Sequence, residues 1–141
     1  MRVVVLGHRG MLGRVVDAVL RARGHEVANT DIRYDGSDAM ASIVTKMLPQ
    51  AVVNCIGLSR GGVADLQRTN GTFPPHIAGL LPPDCLFVHA SSDAVFSGTS
   101  GPRRANERPD ATNAYGSSKR DGERCITVHP RSVILRTSIL G

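Results

Sequence analysis

Tryptophan is absent from the sequence, and two Tyr and three Phe hold the aromatics to 4% of 141 residues. So few flat rings leave little for bases to stack on. Lysine is scarce as well. The net charge of +5 rests on 15 Arg and 2 Lys spread along the chain without a basic block, so nucleic-acid binding is not expected. An arginine excess suits an anionic small ligand such as a nucleotide equally well. Cysteine is limited to Cys55, Cys85 and Cys125, an odd number at wide spacing, each in or beside an apolar run. They read as structural thiols, and no Cys or His pair has the spacing of a zinc site, so no metal is expected. Long apolar runs are missing too. Val3–Leu6 is too short for a signal-peptide core, and nothing approaches the roughly 20 apolar residues of a membrane span, so the expectation is a cytoplasmic protein with no membrane partner.

Hydrophobic residues at 41% and charged residues at 21% are ordinary for a folded chain, and the length suits one domain. Short runs rich in Val, Ile and Leu recur, and between them lie helical patterns such as Met11-Leu12, Val15-Val16 and Val19-Leu20. Continuous apolar runs suit strands buried on both faces. The spacing predicts strands near 2–6, 25–30, 51–56, 85–91 and 132–137, and helices near 11–23, 37–48, 62–80 and 113–127. Strand and helix alternate, which predicts an α/β fold: a doubly wound, Rossmann-type parallel sheet with helices on both faces. Its first and third strands should flank the switch point where ligands bind. Residues 97–112, dense in Gly, Pro, Ser and charge, form a long loop on the ligand side.

Directly after the first strand stands Gly7-His8-Arg9-Gly10-Met11-Leu12-Gly13. Glycines at this position permit a tight turn, close backbone approach to a pyrophosphate and close packing of helix on strand, while the helix N-terminus attracts phosphate. The pattern is weak alone; its place between a strand and a helix points to dinucleotide binding. Asp31, at the end of the second strand, can accept hydrogen bonds from the adenosine ribose, which favours NAD. Arg9 and Arg33 can instead neutralise a 2′-phosphate, which favours NADP. Asp31 also reads as an ordinary turn residue.

Tyr115 and Lys119 stand at i and i+4 and share a helix face. A phenol titrates near ~10 and serves acid–base chemistry at neutral pH only if a cation lowers that value; Lys119 is placed to be that cation. Ser91 and Ser92 end the fourth strand, where a hydroxyl could help hold a carbonyl oxygen or simply cap a turn.

The segments Gly7–Gly13, Val52–Gly57, His89–Gly98, Tyr115–Glu123 and Leu135–Gly141, in this order, resemble the extended short-chain dehydrogenase/reductases, in the branch of dTDP-4-dehydrorhamnose reductase and related sugar-nucleotide reductases. The resemblance implies an NAD(P)-dependent oxidoreductase that reduces a 4-keto sugar nucleotide, with NADP or NAD as cofactor. Tyr115 is then the proton donor, Lys119 the ligand of the nicotinamide ribose, and Ser92 the catalytic hydroxyl. Cofactor contacts fall to Gly7, Arg9, Gly10, Met11, Leu12, Gly13, Asp31, Arg33, Cys55, Ile56 and Gly57, together with Tyr115 and Lys119. Asn70 resembles the family's helix asparagine, and Arg103 and Arg104 are candidates for substrate phosphates or solvated surface. A nucleotide sugar is the implied partner, and a homodimer is compatible with it. Ala94 departs from the branch, which carries Tyr or Cys there. The resemblance further implies that 1–141 is the NAD(P)-binding domain alone, a substrate-binding region being absent from this chain. A non-catalytic dinucleotide-binding regulatory module and an NAD-dependent epimerase are the alternatives.

Overall fold

The computed structural model describes residues 1–99 and 101–138, and shows five parallel strands in the order β2-β1-β3-β4-β5. These are β1 (Arg2–Leu6), β2 (Glu26–Asn29), β3 (Ala51–Asn54), β4 (Leu86–Ser92) and β5 (Ser132–Thr137). The switch between β1 and β3 lies where expected. Helix α1 (Met11–Ala22) leads from β1 to β2, and α2 (Ala39–Lys46) leads on to β3. The Tyr115 segment folds as α5 (Ala114–Gly122), followed by α6 (Cys125–Val128). Among the described residues no helix is long and apolar enough to cross a membrane.

Register divides the strand residues between two faces. Val3 and Val5 pair with Ala51 and Val53, and with Val27 they meet Val16 and Leu20 of α1. Val4, Leu6, Val52 and Phe87 point the other way, into a core shared with Met40, Val44, Phe73, Ile77 and Cys125. The apolar residues of the central strands β1 and β3 are thereby covered on both faces, which is why those runs read as continuous rather than alternating, whereas Val133 and Leu135 of the edge strand β5 stay exposed. The β4 pair splits: Ser92 aligns with Thr137 on the α1 side, and Ser91 with Arg136 on the other.

The expected helix 62–80 is three pieces: α3 (Val63–Leu66), a π-helical turn (Gln67–Thr72) and α4 (Phe73–Leu80). Pro74 and Pro75 supply the reason. Neither has an N–H to give to the carbonyls of Asn70 and Gly71, and each ring would crowd that carbonyl, so the helix widens for a turn. The freed Asn70 carbonyl faces α5, where a Cβ on Gly122 would lie 2.0 Å from it. Only glycine lets the two backbones approach this closely.

Other boundaries shift. The helix expected over 37–48 shortens because Leu48 takes φ 49°, a left-handed value that ends it. The helix over 113–127 breaks after Gly122 into α5 and α6. Strand β3 stops at Asn54 rather than near 56, since the Asn54 side-chain oxygen accepts the Ile56 N–H at 3.0 Å and turns the chain. The Asn54 amide nitrogen lies 3.1 Å from His89 Nδ1, which makes the His89 proton an Nε2 proton. Burial first, and the Lys119 charge second, push His89 down to about 3, so the ring stays neutral.

Candidate active site

The loop Gly7–Gly13 is built from its glycines. Gly7 adopts φ +79°, and the Gly10 N–H donates to the Gly7 carbonyl at 2.9 Å, closing the turn that starts α1. A Cβ on Gly13 would lie 2.1 Å from that same carbonyl oxygen. Gly13→Ala is therefore expected to force the loop off the strand and to destabilise the fold by about 1–3 kcal/mol, measurable as a lowered denaturation midpoint. A midpoint equal to wild type would show that the loop yields freely.

Two cavities open above this loop at the C-terminal edge of the sheet. One, of about 440 Å³, is lined by Gly7, Arg9, Asp31, Arg33, Tyr34 and Arg68 among others. The second, of about 500 Å³, is lined by Met11, Leu12, Cys55, Gly57, Ser92, Tyr115 and Lys119. Gly10 and Ile56 border both, so the two form one groove that crosses the N-terminus of α1 at its middle. Every residue expected to contact the cofactor or take part in catalysis lines this groove except Gly13, which serves beneath it by packing; Asn70, Arg103 and Arg104 lie outside it.

At the first end, Asp31 is already engaged. Arg9 Nη2 donates to its Oδ2 at 2.6 Å, and His8 Nε2 lies 3.4 Å from Oδ1. At the second end, the Lys119 side chain is buried at 4% exposure, and its Nζ donates to the Ala90 carbonyl at 2.7 Å. A Cβ on Gly57 would stand 3.8 Å from Nζ and 3.7 Å from Asn70 Oδ1, so the loop after β3 also closes on this amine. The Ser92 hydroxyl accepts the Ala94 N–H at 3.1 Å, capping a 3-10 turn (Asp93–Val95), and still borders the cavity. Its capping and its place in the groove coexist.

Desolvation lowers the Lys119 amine to about 8, with the Glu123 charge opposing. As pH rises through about 8 the folded form sheds this proton, whereas the unfolded chain holds it until near 10.5. Stability should therefore rise with pH from about 8, by at most about 3 kcal/mol, until the thiols intervene. Burial pushes Cys55 and Cys125 up to about 11 and about 12 from 9.0, so above 9.0 they favour unfolding and oppose the gain. The expected outcome is a thermal midpoint that climbs between ~pH 7.5 and ~pH 9 in the wild type and stays level in Lys119→Met.

Three residues do work that the sequence left undefined. Asn70 is fully buried; its Nδ2 donates to the Leu58 carbonyl at 2.7 Å and to Ser118 Oγ at 3.1 Å, and its Oδ1 accepts the Leu58 N–H at 2.8 Å. It fastens the loop after β3 to α5 and does not line the groove. Glu123 accepts the Ser91 hydroxyl at 2.7 Å and pairs with Arg136 through two bonds of 2.8 Å. Arg136 in turn donates to the Ala105 carbonyl at 2.9 Å and lies over the Phe96 ring, tying the long loop to β5. Arg103 is held by Asp110 at 2.7 Å and Glu107 at 3.3 Å, so it braces the loop internally; the Arg104 side chain has no partner among the described residues. No cluster of metal-ligating side chains occurs among the described residues, and the cysteines are free. The expected family segment ending at Gly141 extends past the described residues, since 139–141 lie outside them.

A family model described as the RmlD substrate binding domain matches residues 1–140. The chain is 32% identical over 154 residues to a probable dTDP-4,6-dihydroxy-2-methyloxan-3-one 4-ketoreductase of Streptomyces antibioticus, covering 99% of this chain and 52% of that protein. It is 27% identical to methionine adenosyltransferase 2 subunit beta of Danio rerio, covering 99% of this chain and 48% of that protein. Among solved structures, a dTDP-4-dehydrorhamnose reductase of Bacillus anthracis in complex with NADP superposes with a TM-score of 0.83 at 21% identity, over 96% of this chain and 52% of the other. The chain thus spans about half the length of these relatives. With the family model matching residues 1–140 and its doubly wound sheet shared with solved relatives, the chain belongs to the RmlD substrate binding domain family.

Proposed function

We propose that this chain is the cofactor-binding and catalytic half of an NAD(P)H-dependent reductase of a 4-keto sugar nucleotide. One observation carries the reading: a single groove runs from Asp31 across the N-terminus of α1 to Tyr115 and Lys119. An extended ligand with a diphosphate at its centre fits that layout, because the free N–H groups of α1 favour negative charge midway.

A bound nicotinamide supplies hydride to the carbonyl carbon. Tyr115 gives its proton to the oxygen as negative charge develops there, and the Ser92 hydroxyl, by rotating its proton into the cavity, stabilises the same oxygen. Lys119 holds the nicotinamide ribose, its amine kept at one point by the Ala90 carbonyl. Cys55, Ile56 and Gly57 wall the groove; Arg104, on the long loop and without a side-chain partner among the described residues, offers a guanidinium to a substrate phosphate. The reading carries a cytoplasmic location and a homodimer with it, the latter open to light scattering.

The test is NADPH consumption on adding a dTDP-4-keto-6-deoxy sugar to the longest natural form of the protein. Reduction of the sugar supports the reading; binding of NADPH with no turnover of any 4-keto nucleotide sugar sinks it. That second result would favour a non-catalytic module, a reading supported by the similarity to a protein named as a subunit of another enzyme.

A further inference from the structure

We propose that Asn54 and His89 are a positioning pair: by holding the chain where it leaves β3, they set the Cys55–Gly57 wall between the glycine loop and the Lys119 amine. The inference rests on the reading of the groove as a dinucleotide site. Both side chains are fully buried, on neighbouring strands and directly opposite in register. The Cys55 N–H still follows the sheet, donating to the Leu6 carbonyl at 3.0 Å. One residue on, the Ile56 N–H goes to Asn54 Oδ1 at 3.0 Å instead. Only the amide oxygen can meet an N–H, so Asn54 Nδ2 faces His89, and Nδ1 of that ring must accept it, at 3.1 Å. Two hydrogen bonds in series thus run from β4 to the start of the wall.

What the pair holds reaches both halves of the groove. A Cβ on Gly7 would stand 3.0 Å from the Cys55 carbonyl carbon and from the Ile56 nitrogen, so the Cys55–Ile56 peptide lies against the glycine loop. A Cβ on Gly57 would stand 3.8 Å from Lys119 Nζ, and Ile56 borders both cavities. The far end of the wall is fastened separately, by Asn70, which bonds the Leu58 N–H and carbonyl. A wall this short, held at both ends, has little freedom left. That matters because a displacement of about 1 Å where reacting atoms are aligned can cost turnover about 10²-fold. Stability alone does not account for the pair. His89 Nε2 is buried with no protein partner among the described residues, a cost that an apolar side chain of similar size would not carry. Replacing both partners of a buried hydrogen bond by apolar groups is, in addition, often nearly neutral. The acceptor given to Asn54 is what the imidazole supplies and a leucine would not.

The experiment titrates NADPH and NADH into the longest natural form of the protein as wild type, His89→Asn, His89→Leu and the double variant Asn54→Leu with His89→Leu. Urea midpoints and the exchange rate of the Ile56 amide are measured alongside. His89→Asn keeps an oxygen near the place of Nδ1 and loses part of the ring, whereas His89→Leu fills the site and offers no acceptor. Positioning predicts that His89→Asn binds the preferred dinucleotide within about threefold of wild type although it leaves a cavity. His89→Leu and the double variant should bind it about tenfold or more weakly, with faster Ile56 exchange. In the double variant the urea midpoint should stay near wild type, because the amide and the ring leave together. The same ordering should appear in kcat for a keto sugar nucleotide at saturating cofactor. Affinity that follows the urea midpoint through the series, with His89→Asn losing as much as His89→Leu, overturns the inference, as does a double variant that binds as tightly as wild type. If the double variant does not fold, the two single variants decide by the same comparison. Dinucleotide binding by the wild type with no turnover overturns the reductase reading only, and the order of affinities then decides the inference by itself. Failure of both NADPH and NADH to bind the wild type overturns the dinucleotide reading, and the inference with it.

Discussion

Replacing Tyr115 by phenylalanine should reduce turnover of a keto sugar nucleotide by a factor of about 10² to 10⁴ while leaving NADPH affinity within about twofold. The ring is kept and only the hydroxyl is lost, so the packing of α5 against the π-helical turn and β4 is preserved. What disappears is the proton delivered to the developing alkoxide, and Ser92 alone cannot replace it: an aliphatic hydroxyl is a far weaker acid than a phenol, so it donates a hydrogen bond to that oxygen without giving up its proton. The assay is steady-state NADPH oxidation with a parallel titration of cofactor. Turnover unchanged in Tyr115→Phe would remove that residue from the chemistry; equal losses in turnover and in affinity would assign it to binding alone.

Glu123→Ala should lower the unfolding free energy by about 3 kcal/mol, the scale expected when one member of a buried ion pair is removed. The Glu123 residue is 7% exposed and takes three hydrogen bonds, one from Ser91 and two from Arg136. Without it the Arg136 guanidinium is left against the Phe96 ring with no carboxylate, and Ser91 loses its acceptor. Because Arg136 also holds the Ala105 carbonyl, amide hydrogens of residues 101–110 should exchange faster in the variant than in the wild type. Glu123→Gln, which keeps an acceptor for Ser91 but loses the charge, should fall between the two. A change in stability below about 0.5 kcal/mol, with loop exchange unaltered, would contradict the role given to this pair.

The central strands β1 and β3 were legible because they are covered on both faces, so Val3–Leu6 and Ala51–Val53 appear as unbroken apolar runs. The glycine loop was legible because Gly7 and Gly13 answer local backbone demands, a positive φ and a close approach, that only glycine meets. Tyr115 and Lys119 could be paired because four residues on a helix is a fixed geometry. Contacts set by sheet register could not be read this way. Ser91 and Glu123 are 32 residues apart, and Glu123 reaches Arg136 only because β5 runs parallel beside β4 with Ser91 opposite Arg136. The π-helical turn did leave a signal, the adjacent Pro74 and Pro75, yet apolar periodicity carried the expected helix straight across it. The buried role of Asn70 follows from that turn and was hidden with it. The partnership of Arg9 with Asp31 was equally out of reach, since the two lie on different connections and meet only when β2 is laid beside β1.

The central claim is that one ligand spans the groove from Asp31 to Lys119. Hydrogen exchange measured with and without saturating NADPH tests it most directly. The account predicts slowed exchange in three separate places at once: residues 8–14 at the start of α1, residues 55–58 after β3, and residues 114–120 of α5. Protection confined to the glycine loop, or absent from all three, would contradict it.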